Sequence, residues 1–233
     1  MTTFLNAVER LKSKEKIQAI QINETNKVFN ELNSNSNVLS VSCGDGMWDY
    51  ILIDKYKSKL NKLTLTDIVD NPIDIIIFNE MKKEVNCEFI KTQKDKRTKF
   101  QNESFDLIYH HDVIEHTRKP FLLMSEHYRL LKQNGTLFFS TPNVFRLSNI
   151  LRLLLNKLTF PNKIGYNKII GDYIHEKEYF MEDLRILLEE VGFKKIKIYT
   201  KLFGLMNLQM FYDYKDSSFF EQMGHIIFCK ITK

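Results

Sequence analysis

A chain of 233 residues with 43% apolar and 27% charged side chains has the size and make-up of one globular domain with a buried core, which excludes a disordered or membrane-spanning class. The net charge of +5 is too mild for a nucleic-acid binder, and the densest basic run (Lys91, Lys94, Lys96, Arg97, Lys99) reads as a solvated loop with little aromatic interleaving. Three scattered cysteines, Cys43, Cys87 and Cys229, exclude a disulfide framework and fit a reducing cytoplasm; with no apolar run of roughly 18 residues and no signal-peptide pattern at the start, membrane insertion and export are not expected.

Apolar residues spaced three or four apart (Phe4, Leu5, Val8, Leu11, then Ile17, Ile20, Val28, Leu32) predict a helical cap over residues 1–36. Residues 38–42 read as a strand, Gly44-Asp45-Gly46 as a turn and 47–56 as a helix. A second strand, 62–66, ends at Asp67, and Pro72 is expected to open a helix to about residue 83. Strands at 88–91 and 105–109 follow, the latter apolar nearly throughout, as a strand covered on both faces should be. A helix over 120–131 is expected to stop at Asn134-Gly135, and a fifth strand over 136–140 to close at Thr141-Pro142-Asn143. The segment 144–172 is longer than a plain connection and is expected to add a lid insertion, with Arg146, Arg152, Lys163 and Lys168 available to a phosphate. A helix over 181–191 halted by Gly192, then strands at 195–199 and 225–231, complete the chain. Alternating strands and helices predict an α/β domain over 37–233: a seven-stranded, mostly parallel sheet with helices on both faces.

Chemistry concentrates first at the end of the opening strand. Two glycines between a strand and a helix allow positive φ and bring bare backbone against a ligand, beside the unpaired N–H groups of the helix start. Asp67, about twenty residues on at the next strand end, is placed to grip both hydroxyls of a ribose. The position three beyond Gly46 is Asp49, so the third glycine of a dinucleotide fingerprint is missing and a dehydrogenase falls behind.

The glycine turn, Asp67, Ser104-Phe105-Asp106-Leu107-Ile108, Asp112-Val113-Ile114-Glu115-His116, residues 128–137 and Thr141-Pro142-Asn143 together resemble the class I methyltransferases, within the broad group that includes ubiquinone-pathway and surface-glycan enzymes. The resemblance runs from about Asn37 to Phe193 and implies a Rossmann-like methyltransferase fold with S-adenosylmethionine as cofactor. It further implies that Ser42, Cys43, Gly44, Asp45 and Gly46 wrap the methionine and ribose end and that Asp67 takes the ribose. Ile68 would then pack on adenine, Gln93 accept from the adenine amine, and His111 flank the methionine. The family usually has an acidic residue and a glycine where this chain has Ser40 and Ser42; Asp45 is a candidate to compensate.

A hydroxyl acceptor must lose its proton as methyl transfer proceeds, and histidine suits that task. Of six histidines, His175 and His110 are the candidate bases, with Asp112 or proximity alone as the alternative. His116 suits a loop-ordering role, and His127 and His225 a structural one. No metal site is expected. The base-methylating Asn/Asp-Pro-Pro-aromatic signature is absent at Thr141-Pro142-Asn143, which argues against nucleic-acid acceptors. The resemblance around Ser140–Asn143, His175 and Gly192-Phe193 implies O-methylation of a sugar or phosphorylated glycan precursor in surface-polysaccharide synthesis. The rivals are a quinone or lipid-linked acceptor and a non-catalytic binding module.

Overall fold

The computed structural model describes residues 16–156, 175–205, 210–212 and 219–233. In chain order these form α1 (Lys16–Asn30), β1 (Ser36–Val41), α2 (Met47–Tyr56), β2 (Leu60–Asp67), α3 (Ile75–Glu84), β3 (Cys87–Lys91) and β4 (Phe105–His111). There follow α4 (Pro120–Leu130), β5 (Leu131–Pro142), α5 (Leu147–Leu154), α6 (Met181–Val191), β6 (Lys195–Lys201), β7 (Phe203–Leu205), β8 (Met210–Tyr212) and β9 (Ile226–Thr232). The sheet has seven strands in the order β3-β2-β1-β4-β5-β9-β6. Only β9 runs against its neighbours β5 and β6, so the mostly parallel sheet expected from the sequence is what forms.

Period-two alternation sends neighbouring side chains to opposite faces, and each face has its own core. Leu107 and Tyr109 of β4 join Phe138 and Phe228 under Phe29, Ile53, Tyr56 and Met81 of the first three helices. Ile108 of β4 joins Leu137, Phe139 and Ile231 under Met124, Leu184 and Leu188 of α4 and α6. All these residues are buried, and truncating any one large side chain to alanine costs about 2–5 kcal/mol.

Two boundaries differ from the sequence expectation, each for a local reason. Helix α3 begins after Asp74, not at Pro72, because the Asp74 carboxylate accepts from the N–H groups of Ile76 (2.8 Å) and Ile77 (3.2 Å). Helix α4 already ends at Leu130, and Asn134-Gly135 is a bend inside β5. There the pairing with β4 shifts register, and a Cβ on Gly135 would stand 2.9 Å from the Lys132 carbonyl. The β7–β8 hairpin has no clear sequence signal. Of the proposed lid, α5 is described, with Leu153 and Leu154 exposed, while residues 157–174 lie outside the described set, as do 1–15 of the N-terminal cap. Among the described residues no helix is long and apolar enough to cross a membrane.

Candidate active site

The carboxyl ends of β1, β2, β3 and β4 open on one cavity of about 510 Å³, lined among others by Ser42, Asp67, Ile68, Gln93, Asp112 and His116. This is the edge at which open α/β sheets bind ligands, and the volume suits a small cofactor.

On the β1–β3 side the recognition surface is largely backbone. Ser42, Gly44 and Gly46 all take left-handed conformations, with φ of 57°, 56° and 77°. A Cβ built on Gly44 meets nothing within 4 Å, whereas on Gly46 it would stand 2.7 Å from Ile73 Cγ2. Gly44 therefore faces open space, although it is not itself among the residues lining the cavity, and the missing side chain of Gly46 makes room for Ile73. The Gly44 N–H donates to Asp67 Oδ2 and the Val69 N–H to Oδ1, both at 3.0 Å, which fixes the carboxylate at the cavity wall. Asp45 is exposed, and its carboxylate accepts from the N–H of Met47, the first residue of α2, at 3.1 Å. Cys43 is buried, and burial pushes its thiol far up.

The acid that stands beside Ser40 is Asp49. Asp49 is 1% exposed on the inner face of α2, and its carboxylate accepts from the Tyr109 hydroxyl and from Ser40. Burial raises its pKa to about 6 despite those hydrogen bonds. The sequence carries a signal for it: an acidic residue on the apolar, sheet-facing side of a helix.

On the β4–β5 side the surface is made of side chains, many of them titratable. His111 is held between two hydroxyls, with Nε2 2.9 Å from Thr25 Oγ1 and Nδ1 2.7 Å from Ser140 Oγ, and its ring lies 5.3 Å from that of Trp48. Burial lowers its pKa to about 3, so it is neutral; it ties α1 to the sheet and is not among the residues lining the cavity. His110 points to the opposite face, stacked on Phe139 at 5.0 Å and 5.2 Å from His127, and burial drives its pKa well below the usual value. At 2% exposure it is likewise absent from the cavity lining, which corrects the expectation that it could face an acceptor.

Asp112 does face the cavity, with φ of 54°, and its Oδ2 accepts from the Gln21 side chain at 3.0 Å. Gln21, 1% exposed, also donates to Ser140 Oγ at 2.9 Å; sequence reading missed it, although a buried glutamine on α1 is a polar break in an apolar face. His175 comes to the same place from the loop before α6. The Glu115 carbonyl accepts from the N–H groups of Glu176 (2.7 Å) and Lys177 (3.3 Å), which anchors that loop, and the His116 and His175 rings meet edge-on at 4.9 Å. His175 Nδ1 lies 3.2 Å from Glu178, which Arg146 grips through both terminal nitrogens at 2.5 and 3.2 Å. Against the upward push of burial, those hydrogen bonds hold Glu178 below the usual carboxylate range. Glu115 is fully buried; its Oε2 accepts from Thr141 at 2.9 Å, while burial and the charge of Asp112 push it well up. Glu115, His116 and His175 present ligand-type atoms within 4.8 Å of one another.

S-adenosylmethionine fits these residues: Gly44 leaves open space, and Asp67, Ile68 and Gln93 line the one cavity. A model of the methyltransferase domain family matches residues 14–198. A ubiquinone biosynthesis O-methyltransferase of Saccharophagus degradans is 27% identical over 106 residues, which is 46% of this chain and 43% of that protein; the chain thus matches less than half the length of this relative. Among solved structures, an Archaeoglobus fulgidus SAM-dependent methyltransferase superposes with a TM-score of 0.61 at 15% identity over 97% of both chains. The methyltransferase domain of the citrinin polyketide synthase superposes with a TM-score of 0.64 at 13% identity, covering 96% of this chain and 55% of that one. Cavity, fold and family match agree: the chain belongs to the methyltransferase domain family and has the fold of the S-adenosylmethionine-dependent methyltransferases it superposes on.

Proposed function

We propose that the protein transfers a methyl group from S-adenosylmethionine to a hydroxyl of a small, polar acceptor, with a sugar or phosphorylated glycan precursor of surface-polysaccharide synthesis as the leading class and the cytoplasm as its setting. The observation that carries this reading is the polar stretch of the cavity lining at Asp112 and His116, with His175 against the His116 ring and Glu178 behind His175. When bound, the cofactor supplies an electrophilic methyl group on a sulfonium. Asp67 receives its ribose, Gly44 admits its methionine end, and Ile68 and Gln93 flank its adenine. Most of the acceleration then comes from alignment and exclusion of water. The acceptor's proton passes to Asp112, oriented by Gln21, or to His175, oriented by Glu178; a positioned base contributes about 10²- to 10⁴-fold.

A catechol-like quinone precursor is the second reading, favoured by the ubiquinone biosynthesis O-methyltransferase among the relatives. Transfer of labelled methyl from S-adenosylmethionine to two acceptor panels, nucleotide sugars with phosphorylated glycans and catechols with quinols, decides between them. Turnover confined to the first panel supports the sugar reading, and turnover confined to the second replaces it. Cofactor binding without turnover on either panel removes both.

A further inference from the structure

The cluster of Glu115, His116 and His175, which reaches the cavity lining through His116, is built like the ligand set of a metal. Glu115 follows β4 in the tight turn that also carries His116, and His175 arrives from the loop before α6. Their ligand-type atoms lie within 4.8 Å of one another, two imidazoles and one carboxylate around one point.

Two observations separate this from an accidental meeting of polar groups. Glu115 Oε1 is fully buried and, among the described residues, has no hydrogen-bond partner. A carboxyl oxygen left without a partner in the interior is expensive whether or not it is ionised. The outer partners are also already in place. Thr141 holds the other oxygen of Glu115 at 2.9 Å, which leaves Oε1 as the oxygen available to a ligand. Glu178 takes His175 Nδ1 at 3.2 Å, leaving Nε2 as the free end of that ring, and Arg146 fixes Glu178 in turn. A carboxylate behind a histidine, with further hydrogen bonds behind the carboxylate, is how proteins set the orientation of metal-binding imidazoles.

We propose that Glu115, His116 and His175 bind one divalent transition-metal ion of the Zn²⁺ or Co²⁺ type, whose open positions receive the acceptor's hydroxyl oxygen. Two nitrogens and one oxygen suit such an ion better than Ca²⁺ or Mg²⁺, which prefer oxygen alone. The role in methyl transfer rests on the function proposed above; the ion site itself does not. A hydroxyl on the ion becomes more acidic. Its O–H bond breaks with the proton passing to Asp112, an O–C bond forms to the methyl group, and the C–S bond breaks to leave a neutral thioether. With His175 serving as a ligand, Asp112 is the proton acceptor of the two candidates.

The test uses the untagged full chain, stripped with a chelator and titrated with Co²⁺, followed by visible absorption and calorimetry, with S-adenosylhomocysteine binding as the folding control. The expected result is one ion per chain with a visible band from imidazole-ligated Co²⁺. Glu115→Gln and His175→Ala should each abolish the band, and Glu178→Gln should weaken binding about 10- to 100-fold, all three keeping their affinity for S-adenosylhomocysteine. No saturable Co²⁺ binding in a chain that binds S-adenosylhomocysteine overturns the site, as does a band that survives both His175→Ala and Glu115→Gln. Methyl transfer to a hydroxyl that proceeds undiminished in the stripped chain removes the ion from the reaction and leaves the function standing. Stoichiometric Co²⁺ binding in a chain that methylates neither panel leaves the ion site and removes the function.

Discussion

The two walls of the cleft are made from different materials. Beyond β1 and β2, recognition is assembled from backbone at positive φ, a bare glycine and one carboxylate held by two N–H groups. Beyond β4 and β5 it is assembled from side chains: Asp112 held by Gln21, and beside it two imidazoles, Glu178 and an arginine that hold one another. A wall of backbone and one acid suits a single invariant ligand presented by a helix start. A wall of side chains that orient one another suits chemistry, because each charge needs a neighbour to keep it in place. The prediction is that the two walls fail separately. Asp67→Ala should cut S-adenosylmethionine affinity by about 100-fold or more, since two charge-assisted hydrogen bonds at about 1.5–3 kcal/mol each are lost to the ligand. Glu115→Gln should leave that affinity within about twofold. Calorimetric titration of both variants reads the difference, and comparable losses would dissolve the division.

Asp49 tests how the first wall is supported. Its folded pKa of about 6 stands above the unfolded value near 3.8, so the native state holds the proton more tightly than the unfolded chain does. The contribution of the protonated acid is therefore complete below about pH 4 and is lost as pH rises to about 6, a total of about 3 kcal/mol. An asparagine at this position carries no such titration. The stability of Asp49→Asn relative to the parent should rise by up to about that amount across the window and stay level above it. Urea unfolding at several pH values measures this. A flat difference would mean that Tyr109 and Ser40 already hold the acid at its ordinary pKa.

What the sequence made legible follows the same division. Strand and helix order, the glycine turn, Asp67 and the capping Gly192 are local patterns, fixed by periodicity and by which residues tolerate positive φ. The helix spans Met47–Tyr56 and Met181–Val191 agree with the sequence reading to the residue. The ends that shifted, at Asp74 and Asn134, are places where a competing cap or a change of register decides the outcome. The second wall is legible only as a set of types. His110 and His111 are adjacent on a strand, and their opposite orientations follow from its pleat. That neither lines the cavity follows from the partners that hold them, Phe139 and His127 for His110 and Thr25 and Ser140 for His111, all distant in sequence. A polar break on an apolar helix face marks Gln21 and Asp49 in the sequence, but their partners, like the meeting of His116 with His175, are products of chain crossing that no local spacing announces.

Ser42 offers the smallest and sharpest test of the first wall. It adopts φ of 57° where the family this chain resembles carries glycine, and a side chain in the left-handed region costs about 1 kcal/mol. Glycine removes that strain but loosens the unfolded chain, so the net gain from Ser42→Gly should be about 0.5 kcal/mol. For a domain of this size that is a rise in Tm of about 1–2 °C, within reach of calorimetry. Ser42 also lines the cavity and is exposed to it, so S-adenosylmethionine affinity belongs in the same experiment. A rise in Tm with unchanged affinity makes the serine a tolerated strain in a wall that reads its ligand through backbone. A rise in Tm with weaker binding makes the hydroxyl a ligand contact, and one side chain of this wall then works as those of the other wall do. A fall in Tm overturns the strain argument, because only a favourable contact of the serine in the native loop could outweigh the relief that glycine brings.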